Sequence, residues 1–322
     1  MAFGNTFGAG ARRRVVVRIQ WGVPQTQASQ GTNSIPLLTS QTVLDDPNVP
    51  IAVRVIDQAD LNVHRHDFME LVVVLDGSGE HVLDDDRFPI FAGDVFVIDE
   101  NHRHGYRNAH EMRIANILFD EKVLLARDES LALLAGYQAL FHLEPVARRK
   151  LSFAGKLHLP SESRLFTEQR VFSLQSELAG KREGYRAAAV SLLVEMIVHL
   201  CRLYTAGDSA AQKNLLDIGR VVGYLETHYA ESIELDGLTE LVAMSGRTLM
   251  RRFGEATGTT PMQYLLRLRI DRAATLLKTT SMSITEIAGT VGFHDSNYFT
   301  RQFRRIMETS PRRWRRTAVS GP

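Results

Sequence analysis

Residues 283–314 read SITEIAGTVGFHDSNYFTRQFRRIMETSPRRW, and residues 235–264 read LDGLTELVAMSGRTLMRRFGEATGTTPMQY. Laid over one another, they carry one pattern twice. At an offset of 49 residues Leu235, Leu238 and Val242 meet Ile284, Ile287 and Val291. One residue is then inserted. At an offset of 50, Leu249, Arg251, Phe253, Thr260, Pro261 and Tyr264 meet Phe299, Arg301, Phe303, Ser310, Pro311 and Trp314. Apolar anchors, a basic residue and a Thr/Ser-Pro-x-x-aromatic recurring in one order imply a duplicated supersecondary unit.

Each copy reads as a short helix, a tight turn and a second helix. In the later copy Ser283 and Glu286 have capping-box spacing. Ile284, Ile287, Ala288 and Val291 line one face, Gly292 permits the turn, and Phe299, Phe303 and Ile306 supply the facing stripe. In the earlier copy Leu235, Leu238, Leu241 and Val242 precede Ala243-Met244, and Ser245 caps a helix buried through Leu249 and Phe253. This is helix-turn-helix geometry, whose second helix lies in the DNA major groove. The outward residues of the two second helices are Arg247, Thr248, Met250 and Arg251, then Ser296, Asn297, Tyr298, Thr300 and Arg301. Arg bridges the O6 and N7 of guanine and Asn the N6 and N7 of adenine, so these are the expected base readers. Arg252, Arg304 and Arg305 are expected on phosphates. Pro261–Lys278 reads as a connecting helix of about 27 Å, enough to hold two reading helices roughly one duplex turn apart.

Charge supports the same reading. The formal net charge is +1, yet residues 245–316 carry 14 Lys+Arg against 5 Asp+Glu, leaving the remainder of the chain at −8. A basic domain beside an acidic one suggests a polyanionic partner, double-stranded DNA. The competing reading is a helical bundle with a solvated basic surface, which explains neither the duplication nor the outward Arg and Asn.

Glu255-Ala256-Thr257-Gly258-Thr259-Thr260-Pro261, Arg269-Ile270-Asp271-Arg272-Ala273, Ser283-Ile284-Thr285-Glu286-Ile287-Ala288, Gly292-Phe293, Tyr298-Phe299 and Ser310-Pro311 resemble the double helix-turn-helix domain of AraC/XylS-type regulators over residues 215–316. Thr239 departs from that family's usual small residue, and Ile306-Met307-Glu308 from its usual aromatic-glycine pair.

Upstream, short apolar runs at Ile51–Ile56, Glu70–Leu75, Gly79–Leu83, Asp94–Ile98 and Arg113–Phe119 are separated by turn chemistry at Asp76-Gly77 and Asp84-Asp85-Asp86, which predicts an antiparallel barrel or sandwich. His64-x-His66-x3-Glu70-x6-Gly77 and Gly93-x10-His104-x3-Asn108 are similar to the two cupin motifs, with Asp99 and Asn101 departing from the second. That resemblance implies that His64, His66, Glu70 and His104 converge inside a barrel. These residues, with Tyr106, either bind a sugar effector by hydrogen bonding or hold a divalent ion. No cofactor is required by the first reading. The second leads to a metal-dependent cupin enzyme or a metal sensor fused to a DNA-binding domain. His66-Asp67-Phe68-x-Glu70, Gly77-Ser78-Gly79-x-His81-Val82, Arg103-His104-x-Tyr106 and Gly136-Tyr137-Gln138-Ala139-Leu140-Phe141 resemble the sensor domains of rhamnose-operon regulators, which implies a small carbohydrate effector.

The expected fold class is therefore α+β multidomain, with a cupin-like antiparallel β-barrel and flanking helices ahead of an all-α double helix-turn-helix domain. The boundaries are a mobile leader at 1–50 with a short strand at Arg14–Ile19, a barrel at 51–125, a helical or dimerisation segment at 126–204, a linker at 205–214, the DNA-binding domain at 215–316 and a tail at 317–322. Leu165–Ala179 and Arg186–Tyr204 read as helices. The stripe Leu193, Ile197, Leu200 and Tyr204 is expected as core or as a homodimer seam. No run approaches 18–20 uninterrupted apolar residues, and Arg18 cuts short the signal-like Arg12–Val17. One cysteine, Cys201, excludes a disulfide scaffold. The whole reads as a cytoplasmic, effector-responsive regulator, most simply an activator that meets RNA polymerase at carbohydrate-use genes, and not an enzyme.

Overall fold

The computed structural model describes residues 35–44, 46, 49–100, 102–125 and 129–319. The strand expected at Arg14–Ile19, most of the expected leader and Asn101 lie outside them. Strand β1 (Leu37–Leu38) and helix α1 (Ser40–Val43) lead into β2 (Ile51–Asp57), β3 (Leu61–His66), β4 (Met69–Leu83), β5 (Asp86–Phe91), β6 (Asp94–Ile98) and β7 (His104–Phe119). After these come α2 (Glu121–Leu125), a 3-10 turn at Glu129–Leu133, α3 (Ala135–Tyr137), a π-helical stretch at Gln138–Leu143, α4 (Glu144–Ala147) and β8 (Leu157–His158). Helices α5 (Ser161–Gly180), α6 (Tyr185–Ala206), α7 (Ala210–His228), α8 (Leu235–Leu241), α9 (Gly246–Thr257), α10 (Pro261–Thr279), α11 (Ile284–Thr290), α12 (Ser296–Met307) and α13 (Pro311–Val319) complete the chain.

The strands form one sheet in the order β1-β3-β7-β4-β6-β8, with β2 also on β7 and β5 also on β4. All pairs are antiparallel except β1 with β3. Alternation along the strands sorts side chains between two cores. Val72, Val74, Phe96, Ile98, Tyr106 and Ile114 point into the rolled sheet. Leu71, Val73, Val95, Val97, Ala115 and Ile117 point out beneath the helices. Because both faces are covered, Met69–Leu75 is a continuous apolar run rather than an alternating one.

Four expectations change. Asp76-Gly77 does not end a strand: β4 continues through irregular pairing with β7. Gly77, at φ +71, sits where a Cβ would lie 2.3 Å from the Glu111 carbonyl oxygen, so the strand bends there instead of turning. Asp84-Asp85 is a true two-residue turn, since Leu83 pairs with Asp86. The linker expected at 205–214 shrinks to Gly207–Ser209, because α7 starts at Ala210 and buries Leu215, Leu216, Ile218, Val221, Val222 and Leu225. The tail expected from 317 is still helix α13 up to Val319.

The fourth change concerns α6. By length and composition this helix could cross a membrane. However, Leu193, Ile197, Leu200 and Tyr204 are completely buried against the barrel's outer face and neighbouring helices. The stripe is core within one chain and leaves no seam for a second copy.

Candidate nucleic-acid interface and barrel chamber

The earlier helix-turn-helix is α8 and α9. Ser245 caps α9 by accepting the Thr248 N–H at 3.3 Å, and Ala243 takes the left-handed conformation in the turn. Leu249, Phe253 and Ala256 face inward. Opposite them Arg247, Met250 and Arg251 are exposed, while Thr248 is half-buried with its hydroxyl 2.9 Å from that of Ser245. Arg251 is paired along the helix with Glu255 at 2.8 Å. Arg252 departs from its expected place on phosphate. It is half-buried on the flank turned to α7, 4.0 Å from the Asp217 carboxylate and 3.8 Å from the Met244 sulfur. A helix places residues 251 and 252 about 100° apart, which turns one outward and the other into the junction.

The later unit is α11 and α12. Ser283 and Glu286 form the capping box, the serine hydroxyl accepting the Glu286 N–H and the Glu286 carboxylate accepting the Ser283 N–H. Gly292 makes the turn at φ +87, with its Cα so close to Ala230 that a Cβ would come within 2.7 Å of that carbonyl. Asp295, not singled out from sequence, caps α12 by accepting the Asn297 N–H at 2.7 Å. Phe299 and Phe303 are fully buried, and Asn297, Tyr298, Arg301, Arg304 and Arg305 are exposed. Ser296 and Thr300 are half-buried, and the Thr300 hydroxyl donates to the Ser296 carbonyl.

Helix α10 is the rod between the units. Its 19 residues span about 28 Å, with Pro261 at the first position and the Thr260 hydroxyl as cap. Leu265 enters the earlier unit's core, and Ile270, Ala273, Ala274 and Leu277 enter the later one. Arg269 donates to the Tyr229 and Glu231 carbonyls at 2.6 Å each, tying the rod to the end of α7.

Within the barrel, β3 brings His64 and His66, β4 brings Glu70 and His81, and β7 brings His104 and Tyr106; the register places His64 opposite His104 and His81 opposite Tyr106. Glu70 Oε2 lies 3.3 Å from His66 Nε2 and 3.6 Å from His104 Nε2. Such spacings suit a divalent ion at about 2.0–2.2 Å from each ligand atom, and two imidazoles with one carboxylate suit Fe(II), Zn or Mn. His66, Glu70 and His104 form the ligand cluster, and their donor atoms lie within 4.8 Å of one another. His64, expected with them, stands outside it: its ring stacks 4.2 Å from that of His104 while its Nδ1 is 3.3 Å from the Asn62 carbonyl oxygen.

His81 was not expected as a site residue, because nothing local distinguishes it from other strand positions. It is completely buried, with its ring 5.8 Å from His104 and 5.7 Å from Tyr106. Burial pulls His81 and His104 well below the usual imidazole range, and the charge of Arg148 adds to this; burial also lowers His64 and pushes the Tyr106 phenol up. The imidazoles are therefore neutral and the phenol protonated near neutral pH. Arg148 reaches this region from just beyond α4, fully buried, paired with Glu144 at 2.5 Å and donating to the Val97 carbonyl at 2.6 Å. His66 Nε2, both ring nitrogens of His81 and of His104, and the Tyr106 hydroxyl are buried without a hydrogen-bond partner in the protein.

The sensor touches the earlier reading helix. Lys150 Nζ donates to the Glu255 carbonyl at 3.0 Å. A cleft of about 360 Å³ between the two is floored by Ala147, Leu151, Leu215, Ile218 and Ala256.

A helix-turn-helix domain model matches residues 238–317 and a cupin domain model residues 53–119. The HTH-type transcriptional activator RhaS of Salmonella arizonae is 32% identical over 270 residues, covering 82% of this chain and 91% of its own length. The corresponding activator of an Enterobacter species is 30% identical over the same length and with the same coverage. Among solved structures, an AraC-type transcriptional regulator from Chromobacterium violaceum is 31% identical with a TM-score of 0.32, covering 33% of this chain and 95% of that one.

Proposed function

The chain belongs to the AraC/XylS-type family of DNA-binding transcriptional regulators, with a cupin domain ahead of the helix-turn-helix pair, and from that premise we propose that it activates carbohydrate-use genes in response to a small sugar held in the barrel. Its work is regulation and not catalysis, as it is for its relatives.

The observation that carries the sugar reading is the set of unpartnered polar atoms on His66, His81, His104 and Tyr106. A buried polar group without a partner costs roughly 1–3 kcal/mol, so several in one chamber argue for a ligand that satisfies them. Neutral imidazoles and a phenol offer both donors and acceptors, which is what sugar hydroxyls need, and Phe96 and Phe153 beside His81 supply an apolar wall. Effector binding would act on DNA through the π-helical stretch, which joins barrel to α7: Phe141 packs on Phe119 of β7 and stacks on Tyr137. Helix α7 in turn carries Asp217 to Arg252 of α9.

Dimerisation on paired half-sites would fall to α5, where Leu165 and Phe172, seven residues apart, remain exposed. RNA polymerase contact and a cytoplasmic setting complete the proposal. A second reading is favoured by the clustered donor atoms of His66, Glu70 and His104: a divalent ion in the same chamber, either bridging to the sugar or acting as the signal itself.

The test is thermal unfolding of the whole chain, with and without chelator, against a panel of neutral sugars and divalent metals. A ligand at one hundred times its Kd adds about 2.7 kcal/mol of stability. The sugar reading expects such a gain with a neutral sugar, retained under chelation and lost in Glu70→Ala; a gain with metal alone, altering DNA affinity, would replace it by the metal reading. No gain from either, or a normal response in Glu70→Ala, would remove the chamber from the account.

A further inference from the structure

Helix α13 has no role in either helix-turn-helix, yet it is firmly seated. Trp314 Nε1 donates to the Ala274 carbonyl at 3.1 Å, its ring packs on Phe303 with centroids 6.2 Å apart, and the Lys278 ammonium lies 4.5 Å from it. Pro311 is buried at the first position, and the Ser310 hydroxyl accepts the Arg313 N–H at 3.2 Å. With Pro311 and Trp314 turned inward, the 100° step of a helix turns Arg312 and Arg313 outward, and both are exposed.

Only Glu308–Ser310 separate this first turn from the last turn of α12, which exposes Arg304 and Arg305. Among the described residues, none of these four guanidiniums has a carboxylate at ion-pair distance. The earlier unit is arranged otherwise: Arg251 is paired with Glu255, Arg272 with Glu226, and Arg252 is turned to Asp217. Four unneutralised cations on adjoining turns repel one another in the free protein, a cost that a polyanion relieves. A reading helix meets base edges with its N-terminal residues, so its C-terminal turn emerges toward the phosphate wall of the groove. The next helix starts there, and the partial positive charge of its first turn has the sign a phosphate prefers.

We propose that α13 is a third DNA-contacting element, in which Arg312 and Arg313 bind backbone phosphates beside the groove that α12 enters. Their ligand is the phosphodiester of duplex DNA, held without regard to sequence. The inference rests on DNA binding alone and is independent of the effector.

The test measures binding of the full chain to two random duplexes of about 30 base pairs, one A·T-rich and one G·C-rich, by fluorescence anisotropy over roughly 50–200 mM KCl. In R312A/R313A the affinity should fall by the same factor on both duplexes, about tenfold to thirtyfold near 0.15 M salt. The slope of log K against log salt should become shallower by about two, one for each phosphate lost. R312K/R313K should restore that slope, because charge and not shape is at work. An unchanged slope with wild-type affinity would overturn the proposal, and so would a loss confined to one duplex, which would make these residues base readers.

Discussion

Leu249 and Phe253 of α9 share a core with the sensor helices α6 and α7, whereas Phe299 and Phe303 of α12 close a separate core with the second half of α10. Two units of one design are therefore housed differently. The earlier one is packed into the sensor, its arginines already matched to carboxylates and its flank held by Lys150. The later one joins the rest through α10 and the end of α7, and presents exposed arginines without matching carboxylates. The difference assigns them different work: the earlier unit is placed to receive a signal, and the later one to hold DNA in either state.

The largest effect that bears on this contrast comes from the cores. Phe253→Ala and Phe303→Ala should each cost about 3–5 kcal/mol. In calorimetry Phe253→Ala should lower the unfolding temperature of the sensor as well, while Phe303→Ala should leave the sensor's transition in place. Equal damage to the sensor from both would break the contrast.

Next in size are the readers. On a duplex selected from a random library for wild-type binding, Arg301→Ala should lose about 1–3 kcal/mol. Arg251→Ala should lose less, because Arg251 must first leave Glu255. Titration of both variants against that duplex checks the order, and the reverse order would mean that the earlier unit dominates recognition.

A smaller effect lies where the sensor meets the helices. His142, in the π-helical stretch, is 2.9 Å from Glu121. Burial alone would lower its imidazole, but the hydrogen bond and charge of Glu121 outweigh this and raise it above its ordinary 6.5. A raised base stabilises the fold fully below its unfolded pKa and ceases to do so as pH rises through the folded value. The stability advantage of wild type over His142→Ala, read by denaturant titration, should thus be larger near pH 6 than near pH 8. A constant difference across that window would remove the pair from the account. Smallest of all, Asp217→Asn should change stability by a few tenths of a kcal/mol, since the 4.0 Å pair with Arg252 is partly exposed. Its visible consequence should be tighter effector-free DNA binding in the anisotropy assay, as α9 loosens from α7.

What was legible from sequence was what depends on neighbours three or four residues away. Ser283 and Glu286, Leu249 and Phe253, and the inward phenylalanines of α12 all obey local helical spacing, so the duplication revealed them. Glu70, His66 and His104 came through motif spacing. His81 did not, because only the pairing of β4 with β7 across the sheet puts it beside Tyr106. Arg252 and Arg251 look alike in sequence, and a packing partner 35 residues upstream separates their fates. The stretch 205–214 misled because Gly207-Asp208-Ser209 dominates its composition, while Ala210–Asn214 are residues a helix accepts readily. The two-residue strand β8 has no periodicity to detect.

Native-state hydrogen exchange of the full chain, followed by mass spectrometry in increasing denaturant, tests the central contrast most directly. The account predicts that the amides of α9 open together with those of α6 and α7, and that the amides of α12 open separately at lower free energy. If α9 and α12 instead open as one body apart from α7, the sensor does not hold the earlier reading helix, and the route from barrel to DNA proposed above is wrong.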